Sequence, residues 1–295
     1  MKSESSRSKH FFVHDYGAYP NDGIDDSKAI QAAINDAIQY GSVSDIHFDY
    51  GNYSITTTTF IHDAKNINVI GKGIDQTFLI GNKQVSIFSA QNCQGLVFTS
   101  FSIDYDPLPF TAGYVVNVGD QFLDVQVVPP HQTDVDRQVQ AILRYDPVQM
   151  RPAYGSNTYE IYQTPPDTKT SIVSPGILRI PLSSRKNFVK GDPIVARYTY
   201  QGHAIYGQDL TDITLQSIAI YTAWGMGFVT LRSRRLTINN YNVLQRKDRW
   251  MSSIIDCMHF TDTREYLSLS DSVCQGMGDD GLNVHGVFFF CQKCH

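Results

Sequence analysis

The sequence predicts an all-β fold, a parallel β-helix with a capping helix at its start and a domain inserted in its middle. Three observations predict it. Short strands of alternating apolar and polar residues recur at Ile67-Asn68-Val69-Ile70, Leu96-Val97-Phe98-Thr99, Ile213-Thr214-Leu215-Gln216, Leu236-Thr237-Ile238-Asn239 and Leu267-Ser268-Leu269-Ser270. Their starts lie 29, 117, 23 and 31 residues apart, and three of these gaps suit one coil of a stacked repeat. The gap of 117 residues exceeds a coil by roughly ninety, the size of a small domain. The third observation is a single amphipathic helix ahead of the strands, placed to cover the open end of a coil stack.

The elements follow in chain order. Residues 1–11 read as a polar tail, rich in Ser and without the apolar stretch of a signal peptide. Ile30, Ala33, Ile34, Ala37 and Ile38 fall on one face of a helix, with Asp26 or Ser27 as cap and Gly41 as terminator. The Asp-rich stretch 22–26 does not follow the spacing of a calcium loop and reads as turn and cap. Residues 12–106 are assigned to the first coils. Residues 107–200 are assigned to the insert, a compact β-barrel or sandwich. There Tyr114 to Val128 and Ile177 to Thr199 alternate, and Pro129-Pro130 and Pro165-Pro166 punctuate them. Residues 201–288 return to coils, and residues 289–295 form an atypical tail.

Composition narrows the function classes. The 295 residues are 42% hydrophobic and 18% charged, enough for a sizeable core. A net charge of −5 with both signs interspersed gives no support for a nucleic-acid partner, and no apolar run is long enough for membrane insertion. Five cysteines, Cys93, Cys257, Cys274, Cys291 and Cys294, are an odd and scattered set that does not read as a disulfide framework.

The chemistry concentrates in Gly276-Met277-Gly278-Asp279-Asp280-Gly281-Leu282-Asn283-Val284-His285-Gly286, with a third carboxylate, Asp256, 23 residues before Asp279. A 23-residue gap is one coil, so Asp256 is expected below Asp279, with strands about 4.8 Å apart. Like charges held that close cannot all ionise freely, so one acid is raised beside ionised partners, the pairing that glycosidic hydrolysis uses. Crowding alone does not say which one. An extended strand would aim Asp279 and Asp280 to opposite faces, whereas Gly278 and Gly281 permit a turn that brings both into one cleft. His259, His285 and Asn283 are candidates for binding sugar hydroxyls, against structural roles within the coil. Trp224 and Trp250 are candidates for stacking on sugar, against core packing. The run Arg246, Lys247, Asp248, Arg249 reads as a solvated loop.

Several segments carry a family resemblance. The opening Asp15-Tyr16-Gly17-Ala18, Asp22-Gly23, Asp25-Asp26-Ser27 and Ala29-Ile30-Gln31-Ala32-Ala33-Ile34 resembles the start of pectin-lyase-like right-handed β-helices. Ser102 to Thr111, Ala223 to Phe228, Asp256 to Phe260 and Gly276 to Gly286 together resemble glycoside hydrolase family 110, exo-acting α-1,3-galactosidases. The resemblance implies a right-handed β-helix with an inserted β-barrel and an inverting mechanism without cofactor or metal. It implies a galactose-terminated oligosaccharide or glycoconjugate as substrate, and secretion or a cell-surface location. It matches Asp279 to the general acid and Asp256 and Asp280 to the groups that activate water.

Two alternatives stay open. One is another inverting β-helix glycosidase, polygalacturonase-like, although neither a Gly-His-Gly turn nor an Arg-x-Lys follows the carboxylates here. The other is a catalytically inactive carbohydrate-binding β-helix. The family's coils continue past the Asp-Asp motif, so a C-terminally truncated chain with a raw strand edge is expected. Cys291, Cys294 and His295 match a haem-attachment spacing, but with no chain after them to fold around a haem, and a zinc site there lacks a fourth ligand.

Overall fold

A computed structural model describes residues 8–149, 151–153, 161–162, 169–183, 187–198, 202–246 and 248–287. The tail 289–295, with Cys291, Cys294 and His295, lies outside the described residues, as do Lys247 and Pro165-Pro166.

The fold is a parallel β-helix. One ten-stranded sheet runs in the order Lys9–Phe12, Ser44–His47, Lys65–Ile70, Gln94–Tyr105, Thr211–Ile220, Arg234–Val243 and Arg264–Ser270, with three further strands beside this path. A second, six-stranded sheet stacks Thr59–His62, Phe88–Gln91, Ile205–Gln208, Phe228–Leu231, Met258–Thr261 and Leu282–His285. The recurring strands stack in register, Ile67 on Leu96, Leu96 on Ile213, Ile213 on Leu236 and Leu236 on Leu267. The chain therefore leaves the stack after Tyr105 and returns to the same sheet at Thr211.

Each coil turns its corners in the same way. Ser100, Ser217, Asn240 and Asp271 hold φ between 49° and 64°, as do Asp63, Asn92, Asp209, Arg232 and Asp262 at a second corner. Short polar side chains tolerate this left-handed region best and bond locally while doing so. Bidentate pairs brace the corners from outside, Arg232 on Asp209 and Arg235 on Asp212, each within 3.0 Å.

The helix runs Ser27–Tyr40 and ends at Gly41, whose φ of 70° is the left-handed stop. Its face of Ile30, Ala33, Ile34 and Ala37 is buried on the first coils. Asp26 takes the N-cap position but does not cap with its side chain. Its carboxylate instead accepts the N–H groups of Tyr19 (3.0 Å) and Ser54 (2.8 Å), and the Ser27 hydroxyl accepts that of Thr56 (2.9 Å). The cap residues thus tie the helix to the coil beneath. Lys9–Phe12, at the end of the expected polar tail, pairs with Ser44–His47 as the first strand of the long sheet. Phe11 turns into the core there, so the tail is ordered from at least Lys9.

The insert is an eight-stranded antiparallel sheet. Its central strands are Val139–Asp146, Pro193–Tyr198, Phe110–Val118, Phe122–Val127 and Ile177–Pro181. A second apolar cluster joins it to the β-helix. Leu108, Phe110, Leu143, Tyr145 and Val195 of the insert pack on Trp250, Met251 and Ile254, the segment leading into Asp256. Burial of these large side chains fixes where that segment lies.

Candidate active site

Asp256 ends the loop packed on the insert, just before the strand Met258–Thr261. The next coil lays Leu282 on Met258, a step of 24 residues rather than 23. The backbone therefore places Asp280, not Asp279, over Asp256. The Cys257 N–H donates to the Asp280 carbonyl at 2.9 Å, and the Asp280 N–H donates to the Asp256 carboxylate at 3.2 Å. The chain bends through 278–281 before its strand begins at Leu282. That bend brings a carboxyl oxygen from each of Asp256, Asp279 and Asp280 to within 4.8 Å of one another. Asp256 is buried, and the other two are open to solvent.

Partial burial of its carboxyl holds Asp279 above the usual carboxylate range, with the charges of Asp256 and Asp280 adding to the effect. Arg197 opposes it. This arginine stands in the insert strand Pro193–Tyr198, is 3% exposed, and donates from Nη1 to the carbonyls of Ile254 and, at 3.1 Å, Gly278. Burial lowers its own pKa to about 10, against the charges of Asp279 and Asp256, which raise it. The arginine fastens the two backbone segments that carry the carboxylates. A Cβ at position 278 would meet Ile254 O at 2.4 Å and Arg197 Nη1 at 2.6 Å, so this close approach requires Gly278.

His259 bonds Asp256 through Nδ1 at 2.7 Å and His285 through Nε2 at 2.9 Å, while His285 Nδ1 lies 3.1 Å from the Gly286 carbonyl. Asn283 donates to the Asp280 carboxylate at 3.0 Å. The three polar candidates thus gather at the carboxylates.

The two tryptophans do not. Trp224 is 1% exposed, with Tyr198 stacked beside it and Arg137 over its ring. Trp250 is 7% exposed and stacks on Tyr145 at 5.5 Å. Apolar burial consumes both rings, so neither offers an open face to a sugar. Two arginines of the charged run, expected in a solvated loop, are paired instead, while Asp248 is exposed as expected. Arg249 (2.6 Å) and Arg246 (3.1 Å) both close on the buried Asp104. A buried carboxylate needs such partners.

The structure also pairs Cys257 with Cys274 in a disulfide, which the scattered cysteines did not suggest. It crosses the last coil, joining the approach to one sheet to the Val273–Cys274 strand of the other. Arg197 was missed as well. Its only mark in the sequence is one cation inside the apolar strand Pro-Ile-Val-Ala-Arg-Tyr.

Comparisons with known proteins agree with this architecture. The family model described as rhamnogalacturonase A/epimerase, pectate lyase-like, matches residues 11–111. Alpha-1,3-galactosidase A of Shewanella woodyi is 22% identical over 334 residues, covering 100% of this chain and 54% of that protein. Alpha-1,3-galactosidase B of Bacteroides thetaiotaomicron is 23% identical over 322 residues, covering 95% of this chain and 51% of that protein. The chain is a parallel β-helix whose sequence is similar to these α-1,3-galactosidases. It spans about half the length of these curated relatives. Among solved structures, the Agl-KA catalytic domain superposes with a TM-score of 0.50 at 15% identity, covering 95% of this chain and 34% of that one, a likeness of fold.

Proposed function

We propose that this chain carries the catalytic centre of an exo-acting glycoside hydrolase that releases terminal α-1,3-linked galactose from oligosaccharides or glycoconjugates. The observation that carries the reading is the convergence of three carboxylates, with Asp279 held above its usual range beside Asp256 and Asp280. Asp279 protonates the departing oxygen. Asp256, oriented by His259, and Asp280, oriented by Asn283, activate the water. His285 steadies His259 and faces the sugar. The names of the relatives supply the galactose specificity.

Inversion is the outcome that the family resemblance implies. Inverting pairs generally stand about 6.5–9.5 Å apart and retaining pairs about 5–5.5 Å, so the stereochemical outcome tests the assignment of roles. Proton NMR of the chain with α-1,3-galactobiose separates them. β-Galactose appearing first shows inversion and α-galactose appearing first shows retention. Asp279→Asn should lower the rate about 10²- to 10⁴-fold, as loss of a general acid does. A folded wild-type chain that releases no galactose overturns the proposal and leaves a binding module.

A further inference from the structure

The six-stranded sheet carries one uninterrupted register row across its outer face. Phe60 stacks on Ser89, Ser89 on Tyr206, Tyr206 on Val229, Val229 on His259 and His259 on Asn283. The row ends at the carboxylates, since His259 and Asn283 bond Asp256 and Asp280. At its other end is a cleft of about 340 Å³ lined by Thr58, Phe60, Ser86, Ser89, His203 and Tyr206. The proposed function leaves this cleft unused.

The lining has the chemistry of a sugar site. Phe60 is 48% exposed on the row, and Tyr206 stands half-buried beside it. Tyr206 is braced from two sides, with the His203 ring stacked at 6.0 Å and its own hydroxyl donating to Gln208 at 3.0 Å. A fixed aromatic face suits the C–H face of a pyranose, because little rotamer freedom remains to be lost on binding. Three hydroxyl side chains surround it. His203 Nδ1 accepts the Met226 N–H at 3.1 Å, and burial holds the ring neutral, with a pKa near 4, so its proton sits on Nε2 as a donor.

Spacing decides which sugar the cleft would take. Tyr206 stands two strands from His259, about 10 Å at the usual strand separation of about 4.8 Å. The count of rings takes one sugar per strand along the register row. With the terminal galactose over the carboxylates, one ring spans the strand of Val229, whose own side chain is only 5% exposed beneath it, and the next reaches Tyr206. We infer that the Phe60–Tyr206 cleft is a remote leaving-group subsite that binds the second neutral sugar beyond the bond cleaved. The inference rests on the proposed function, which places galactose at the carboxylates.

The test compares α-1,3-galactobiose with the trisaccharide α-1,3-galactosyl-lactose, and adds lactose alone as a probe of the cleft. Wild type should prefer the trisaccharide by about tenfold in kcat/KM, mostly through KM. Tyr206→Ala should abolish that preference and leave the disaccharide rate unchanged. Tyr206→Phe, which keeps the ring, should retain the preference. Equal rates on both substrates in wild type overturn the subsite, as does an equal loss on both in Tyr206→Ala. Saturation-transfer NMR with lactose reads the cleft without hydrolysis. Transfer to the glucose ring that Tyr206→Ala removes supports the subsite, and absence of transfer in wild type overturns it. Failure of the hydrolase reading would show separately, as no galactose from either substrate.

Discussion

The first and the last described coils of the β-helix are held differently. At the first coil, the inward row is closed by the Ser27–Tyr40 helix, and Ile30, Ile34, Ile46 and Val69 are all within 1% of complete burial. In the last described coil, the same kind of inward position is more exposed among the described residues. Phe260 is buried, yet Val284 stacked on it is 56% exposed, and Leu282 on Met258 is 48% exposed. In the other sheet, Leu215 and Ile238 are buried and Leu269 above them is 39% exposed. The carboxylates sit at this last described coil. Apolar cover fixes the first coil. The last coil is fixed by discrete ties, namely Arg197, the Cys257–Cys274 disulfide and the Asp256–His259–His285 chain.

The largest contrast should appear when one apolar truncation is made in each of these coils. Ile34→Ala beneath the helix removes fully buried methyl groups and should cost about 4 kcal/mol by urea unfolding. Val284→Ala should stay within about 0.5 kcal/mol, as substitutions at open positions do. Equal costs would mean that Val284 is covered in solution, and the contrast between the coils would fail.

Next in size is Arg197→Met. It leaves the Ile254 and Gly278 carbonyls without their buried donor, which should cost about 3 kcal/mol. It also removes the cation that lowers Asp279, so the basic limb of the pH–rate profile should move upward. A stability loss with an unmoved profile would make Arg197 a structural tie only.

Replacing both Cys257 and Cys274 by Ser should cost about 2 kcal/mol, less than the roughly 3 kcal/mol that loop-closure entropy gives for a loop of this length. Thermal unfolding with and without reductant measures it. No change on reduction of the wild type would remove the disulfide from the ties that hold the last coil.

This division between cover and ties also explains what the sequence made legible. The coil stack was readable because Ile67, Leu96, Ile213, Leu236 and Leu267 carry a repeated pattern, and stacking forces such repeats into register. The helix was readable from its apolar face for the same reason. The carboxylates were readable as a group, but the one-residue difference between a 23- and a 24-residue coil was not. That difference depends on the bend through 278–281, which follows no repeat. Arg197 lies in a different domain from the segments it binds, and long-range polar ties leave no local periodicity. Trp224 and Trp250 stayed ambiguous because an aromatic ring suits a core and a sugar face equally, and only packing shows where each lies.

The smallest effect is the most direct reading of the carboxylate site. Asp279 has its folded-state pKa raised, chiefly by partial burial and then by Asp256 and Asp280. The folded chain therefore holds this proton more tightly than the unfolded chain does. Below the usual carboxylate range, near pH 3.9, both states are protonated and the group is neutral in its effect. As pH rises through that value toward the raised one, the unfolded chain ionises first, and the folded state becomes relatively less stable. Asp279→Asn removes the ionisation. Its melting temperature should equal that of wild type near pH 3 and exceed it at pH 7. The gain should stay under about 1 kcal/mol, because solvent reaches the site and screens the charges. Losing activity while gaining stability at neutral pH would mark Asp279 as a group kept for chemistry. A variant less stable than wild type at pH 7 would show instead that the carboxylate is a structural acceptor.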